Sequence, residues 1–142
     1  GTVAAAAGFA MGLQAPVTLL VGDLALLHDL NTLALLPRLP VPVTVVAVNN
    51  HGGGIFSFLP IARHADIFEP FFGTPHDVSF EKAAALFGLS YAGPTTPGAF
   101  VEAYRAAAAG TSPALVEVTT DRHENVARHR ALLDEVREAL SS

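Results

Sequence analysis

The segment Val43-Thr44-Val45-Val46-Ala47-Val48 is apolar at nearly every position and is bounded by Pro42 and by Asn49-Asn50. A strand with one wet face alternates between apolar and polar side chains. A strand that does not alternate is covered on both faces, the usual position of a strand in a parallel sheet between helices. Val17 to Val21 is a second run of this kind, ended by Gly22-Asp23. Leu89-Ser90-Tyr91 and Ala114 to Val118 read as two further strands. Helix-like stretches lie between them. Thr2 to Gln14 is rich in alanine, Leu24 to Leu36 carries leucines at helical spacing up to Pro37, Phe80 to Phe87 ends near Gly88, and Phe100 to Ala109 stops at Gly110. A charged amphipathic helix from Glu124 to Leu140 follows. The alternation predicts an α/β fold, an open doubly wound parallel sheet with helices on both faces. Leu59 to Val78 keeps no clean period and holds Pro60, Pro70 and Pro75 with Phe68, Phe71, Phe72 and Gly73. A loop of that length is expected to act as a lid or a partner contact.

Composition excludes several classes of function. The chain is 51% hydrophobic and 15% charged, against roughly 25% charged in ordinary soluble domains. That excludes disorder. Eight Lys and Arg against thirteen Asp and Glu exclude a nucleic-acid binder held by a basic footprint. No stretch reaches the ~18–20 unbroken apolar residues of a membrane span; Val17 to Leu36 is interrupted by Gly22, Asp23, His28, Asp29 and Asn31. No secretory leader is legible and cysteine is absent, so a cytoplasmic location is expected. The start at Gly1-Thr2-Val3-Ala4 suggests a piece of a longer protein. The apolar surplus then reads as surface that faces other domains or subunits.

In an open parallel sheet, ligands bind at the carboxyl ends of the strands. Two predicted strands end in polar clusters, Gly22-Asp23 and Asn49-Asn50-His51-Gly52-Gly53-Gly54. Asp23 offers a carboxylate, Asn50 an amide oxygen and Gly52 a backbone carbonyl. An all-oxygen set of low charge suits Mg²⁺, which shares its remaining positions with phosphate oxygens and water. The glycines admit close backbone approach, and the helix that starts near Leu24 turns its N–H groups to the same edge. The residues point to a Mg²⁺–diphosphate site. Glycine, aspartate and asparagine are also ordinary turn formers, so an α/β module in which both clusters only turn the chain stays open as an alternative.

Gly22-Asp23, followed after a helix and a strand by Asn49-Asn50, resembles the diphosphate-binding motif of thiamin-diphosphate enzymes. Leu24 stands where most of that family has glycine. Together with His28-Asp29-Leu30-Asn31, the segment Asn49 to Pro60 and Phe80-Glu81-Lys82-Ala83-Ala84, it is similar to the branch that acts in menaquinone biosynthesis. Leu24 argues against an acetolactate-synthase-like carboligase or decarboxylase. The resemblance runs from Gly1 to about Thr120 and is strongest between Val21 and Pro60. It implies that residues 1–142 are a carboxyl-terminal thiamin-diphosphate- and Mg-binding domain, with a first strand and amino-terminal domains outside the chain. It further implies a transferase that decarboxylates 2-oxoglutarate and adds the succinyl unit to isochorismate. By the same resemblance Asp23, Asn50 and the Gly52 carbonyl hold Mg²⁺ (or Mn²⁺). Gly22, Leu24, Gly53 and Ile55 contact the cofactor, and Ile55, Phe56 and Leu59 form an apolar wall toward substrate. The implied partners are the missing domains and further copies in a dimer or tetramer, with no nucleic acid and no membrane span. The activating glutamate is expected in another domain on a neighbouring subunit. Glu69, Glu81, Glu102 and Glu117 do not match that role by position, so no catalytic residue is assigned within this chain and the isolated chain is expected to be inactive.

The histidines show no metal-ligand spacing. His28 and His51 flank the proposed site, and His64 and His76 lie in the irregular stretch. His123 and His129 join Arg122, Arg128 and Arg130 on what reads as a solvated face of a generic tail helix. Phe68, Phe71 and Phe72 form either an exposed aromatic group or a local packing cluster. Arg63 is placed to meet an anionic substrate.

Overall fold

The computed structural model describes residues 1–141. In chain order the elements are α1 (Thr2–Leu13), β1 (Val17–Gly22), α2 (Asp23–His28), β2 (Val43–Asn49), α3 (Ala65–Phe68), α4 (Phe80–Phe87), β3 (Ser90–Ala92), α5 (Pro97–Ala109), β4 (Ala114–Thr119) and α6 (Arg122–Ser141). Short 3₁₀ segments occupy Leu30–Arg38, Gly54–Phe58 and Pro60–Arg63, and a single π turn spans Glu69–Gly73. The chain divides into two compact units. One comprises residues 1–49 and 78–119, the other 50–77 and 120 onward.

The first unit holds a four-stranded sheet in the order β1-β2-β4-β3, with every neighbouring pair parallel. Val17 pairs with Val43, Thr44 with Ala114, and Ser90 also with Ala114. Because side chains alternate along a strand, Val43, Val45, Ala47 and Leu115 point to one face. There they bury against Val3 and Ala10 of α1, Leu26 of α2, Leu33, Leu36 and Phe80 of α4. The alanines of α1 bring its backbone close to that layer, and Val3, Ala6, Ala7 and Ala10 are all buried. Val46, Val48 and Val118 point to the opposite face, where they line a cavity with Phe100 of α5. Leu20 on the same face remains 69% exposed. Helices therefore lie on both faces, and the open parallel sheet predicted from the strand pattern is present. Among the described residues no helix is long and apolar enough to cross a membrane.

The single helix predicted for Leu24 to Leu36 is instead two pieces. The chain leaves α-helical geometry at Asp29, with φ −120° and ψ 15°, and resumes as a 3₁₀ segment that runs through Pro37. The cause is the Asp29 side chain, which is buried. Its Oδ2 accepts the Val3 N–H at 2.6 Å and its Oδ1 the Thr32 hydroxyl at 2.6 Å. A carboxylate that ties two helices together this way competes with helix continuation. Other boundaries moved toward their caps. α5 begins at Pro97 behind Thr96, whose hydroxyl oxygen accepts the Ala99 N–H at 3.2 Å. α6 begins at Arg122 behind Asp121, whose Oδ1 accepts the N–H groups of His123 and Glu124 at 2.8 and 2.7 Å. α4 matches its predicted span, between the Ser79 cap and Gly88 at φ 73°.

The Thr32 hydroxyl, then the Val3 N–H, hold the Asp29 carboxyl below its ordinary value of 3.8 against the opposing effect of burial. A lowered native pKa stabilises the fold above the unfolded value, and that contribution disappears as pH falls through the native value. Asp29→Ala is expected to cost about 1–3 kcal/mol in chemical denaturation at neutral pH, and the difference from the parent protein should shrink in acid below the ordinary carboxylate range.

Candidate functional site

In the first unit, the carboxyl ends of β1 and β2 lie side by side. Gly22 pairs with Val48, so Asp23 leaves the sheet at the level where Asn49 ends β2. Asp23 opens α2 and is buried, and its Oδ1 accepts the N–H of Leu24 at 2.8 Å. Gly22, Asp23 and Leu24 are thus consecutive at the strand-to-helix turn, as predicted. Beside them Asn49, 1% exposed, donates from Nδ2 to Glu117 Oε1 at 2.6 Å. The Tyr91 hydroxyl donates to Glu117 Oε2 at 2.7 Å. One carboxylate of β4 therefore ties the neighbouring strands β2 and β3. Burial first, and then the hydrogen bond and charge of Glu117, push the Tyr91 hydroxyl well above its ordinary value of 10.0.

The second unit holds Asn50, Gly52, Gly53, Ile55, Phe56 and Leu59. His51 takes φ 58° and Gly52 φ 149°, the latter open essentially to glycine alone. Gly53, at φ −79° and ψ 61°, forms an inverse γ-turn in which the Gly54 N–H reaches the Gly52 carbonyl at 2.9 Å. The Gly53 N–H donates to the Gly73 carbonyl at 2.6 Å. A Cβ on Gly52 would run into the Gly73 carbonyl, one on Gly53 into the Phe72 carbonyl, and one on Gly54 into the Asn50 side-chain amide. Gly52 and Gly53 are needed because backbone presses on backbone, and Gly54 because the Asn50 amide lies against it. Gly73 is confined in turn, since a Cβ there would lie 2.5 Å from Arg122 Nη1 and 3.0 Å from Glu69 Oε2. Arg122 and Glu69 form an ion pair, with the Arg122 side chain only 12% exposed.

Two buried side-chain atoms of this unit have no hydrogen-bond partner among the described residues, Asn50 Oδ1 and Arg122 Nη1. An unmade hydrogen bond of a buried polar atom costs about 1–3 kcal/mol. The amide oxygen is therefore an acceptor held ready for a donor or a cation. Within this unit Asn50 Oδ1 and the Gly52 carbonyl are oxygen donors, which is the chemistry Mg²⁺ selects. The residues present fit that ion.

Ile55 is 75% exposed, and Phe56 and Leu59 are also exposed. Three apolar side chains are thus exposed on a short 3₁₀ stretch and the residue that follows it. The aromatic trio divides. Phe68 is buried and stacks on Phe72 at 6.3 Å between ring centroids, Phe72 meets Phe56 edge-on at 5.9 Å, and Phe71 stays exposed. His51 and His76 approach each other, with ring centroids 5.9 Å apart. Arg63 and Arg130, both exposed, line a cleft of about 360 Å³ with Phe58, Leu59 and Pro60.

The tail helix departs from the sequence reading. Val126 is buried, Arg122 is mostly covered, and the His129 ring meets Phe58 edge-on at 5.2 Å, so one side of α6 packs instead of facing solvent. Arg128 keeps the predicted solvated character, paired with Glu124. Arg122, Glu69, Gly73 and the Asn49–Glu117–Tyr91 group are participants that sequence reasoning missed. The one available signal was an arginine three residues beyond a strand, at the first position of a helix.

The open parallel sheet of the first unit, with helices on both faces and a Gly-Asp turn at the end of β1, is a doubly wound α/β fold. The family model for "Thiamine pyrophosphate enzyme, C-terminal TPP binding domain" matches residues 1–118; the chain belongs to that family. Among its relatives, the chain is 62% identical to a 2-succinyl-5-enolpyruvyl-6-hydroxy-3-cyclohexene-1-carboxylate synthase of Rubrobacter xylanophilus over 94% of its length. It is 54% identical to the synthase of the same name from Salinibacter ruber over 99% of its length. In both cases the match covers 23% of the relative. Among solved structures, a thiamine diphosphate-dependent 4-hydroxybenzoylformate decarboxylase of Rhodococcus jostii RHA1 is similar at TM-score 0.63 and 24% identity, over 75% of this chain and 20% of that one, a likeness of fold alone.

The Glu117 network makes a spectroscopic prediction. Ultraviolet titration should show one tyrosine that stays protonated well beyond pH 10.0 and that Tyr91→Phe removes. Because the native value is raised, the stability this bond contributes is complete below the unfolded value and is lost as pH rises through the native one.

Proposed function

We propose that this chain is the cofactor-binding part of a thiamin-diphosphate- and Mg²⁺-dependent synthase that decarboxylates 2-oxoglutarate and adds the succinyl unit to isochorismate in menaquinone biosynthesis. The observation that carries this reading is the buried, unpartnered Asn50 Oδ1, placed in a glycine loop of the family's type. The names of the relatives support the choice of reaction, since each is a 2-succinyl-5-enolpyruvyl-6-hydroxy-3-cyclohexene-1-carboxylate synthase.

In this reading Asp23, Asn50 and the Gly52 carbonyl hold Mg²⁺ (or Mn²⁺), while Gly22, Leu24 and Gly53 border the diphosphate. Thiamin diphosphate, when bound, supplies the carbon nucleophile and the electron sink for loss of CO₂. The chain's own contribution is to place charge and exclude water. Asp23 brings one negative charge and Asn50 none, so the ion keeps positive charge for the phosphate oxygens. Ile55, beside the cofactor, and Phe56 and Leu59 toward substrate present hydrocarbon. A dry surface there strengthens the electrostatic interactions around a departing CO₂. The remaining domains of the longer protein, including the glutamate that activates the cofactor, and further copies in a dimer or tetramer complete the site. The location is cytoplasmic and the domain spans residues 1–142.

The test is calorimetric binding of thiamin diphosphate to the full-length protein with and without Mg²⁺. Binding is expected to require the metal, to vanish on chelation, and to lose its metal dependence in Asp23→Ala and in Asn50→Ala. Unchanged metal-dependent affinity in both variants would falsify the metal assignment. Release of CO₂ from 2-oxoglutarate that depends on isochorismate checks the reaction itself.

A further inference from the structure

Asn50 and Gly52 sit on a loop that lies against a second stretch of backbone. Its shape is set from outside by residues 72 and 73, whose carbonyls face Gly52 and Gly53, with the Gly73 carbonyl accepting the Gly53 N–H at 2.6 Å. What holds Gly73 is the guanidinium of Arg122, buried against its Cα and paired with Glu69 at the start of the same π turn. The turn closes with the Thr74 N–H on the Glu69 carbonyl at 2.8 Å. Glu69 thus anchors both ends of the contact, through its backbone to the turn and through its carboxylate to Arg122. Arg122 also reaches the loop directly, since its Cβ lies 3.7 Å from where a Cβ of Gly54 would stand, beside the Asn50 amide.

We propose that Arg122, acting through Glu69 and Gly73, is a positioning residue for Asn50 and the Gly52 carbonyl, so that the first turn of the tail helix sets the affinity for the metal. This rests on the reading of the loop as metal- and cofactor-binding. Arg122 touches neither reacting atoms nor cofactor in this role. Its planar fork suits the task better than a lysine, because one terminal nitrogen engages Glu69 while the other stands beside Gly73.

The experiment is a Mg²⁺ titration of thiamin diphosphate binding by the full-length protein, read by calorimetry, with circular dichroism to confirm folding. Arg122→Met and Glu69→Gln are expected to raise the Mg²⁺ concentration for half-maximal binding about 10–100-fold. Arg122→Lys should recover part of the loss, since it restores a cation beside Glu69. Arg128→Ala, on the exposed side of the same helix, should titrate like the parent. If Arg122→Met does not fold, Glu69→Gln decides, because it removes one charge from a side chain that is already partly exposed. A folded Glu69→Gln that melts earlier but keeps the parent's Mg²⁺ requirement overturns the proposal and leaves a purely structural pair. A parent protein that shows no Mg²⁺-dependent binding overturns the reading of the loop itself, and the two failures are distinguished by that first titration.

Discussion

The second unit depends on backbone meeting backbone at Gly52 and Gly53. The carbonyls of Phe72 and Gly73 stand where any side chain on those two residues would have to go. No repacking of side chains relieves such a clash, because a peptide group cannot rotate away from its own chain. The loop is therefore specified by what it lacks, and the positive φ of Gly52 adds a second requirement for glycine at the same residue. The Gly53 N–H bond to the Gly73 carbonyl is made possible by that close approach.

The first unit is organised differently, around a charged side chain shared among strands. Glu117 accepts from Asn49 on one neighbouring strand and from Tyr91 on the other. A carboxylate drawn partly out of water is costly unless its oxygens are bonded, and here each oxygen has a neutral donor. The network fixes the lateral order β2-β4-β3 near the carboxyl ends of the strands, where ligands bind in sheets of this kind. Glu117 has this structural work, which agrees with its failure to match the activating glutamate by position.

The sheet was legible in the sequence because its signal is local. Val43 to Val48 and Ala114 to Val118 announce a strand covered on both faces within six residues or fewer. Gly22-Asp23 and Asn49-Asn50 were legible because polar residues at strand ends stand out against apolar runs. The break at Asp29 was not legible, since the leucine repeat runs straight through it. What interrupts the helix is the N–H of Val3, twenty-six residues earlier. Arg122 was invisible for the same reason. It sits in a stretch rich in arginine and histidine, and only its pairing with Glu69 separates it from Arg128, which is solvated. Contacts between distant residues carry no local period, so the residues that shape the loop were harder to find than those that line it.

The ion pair of Arg122 with Glu69 joins residues fifty-three positions apart. A chain synthesised from its amino terminus can assemble β1, β2 and the glycine loop long before the guanidinium exists. Until α6 is made, Gly73 lacks its Arg122 contact and is flanked by Glu69 and Phe68. Asn50 is therefore made early and the Arg122 contact that closes on Gly73 last. Arg122 follows β4 in the chain, so the contact that closes on Gly73 is made only after every strand of the sheet has been synthesised.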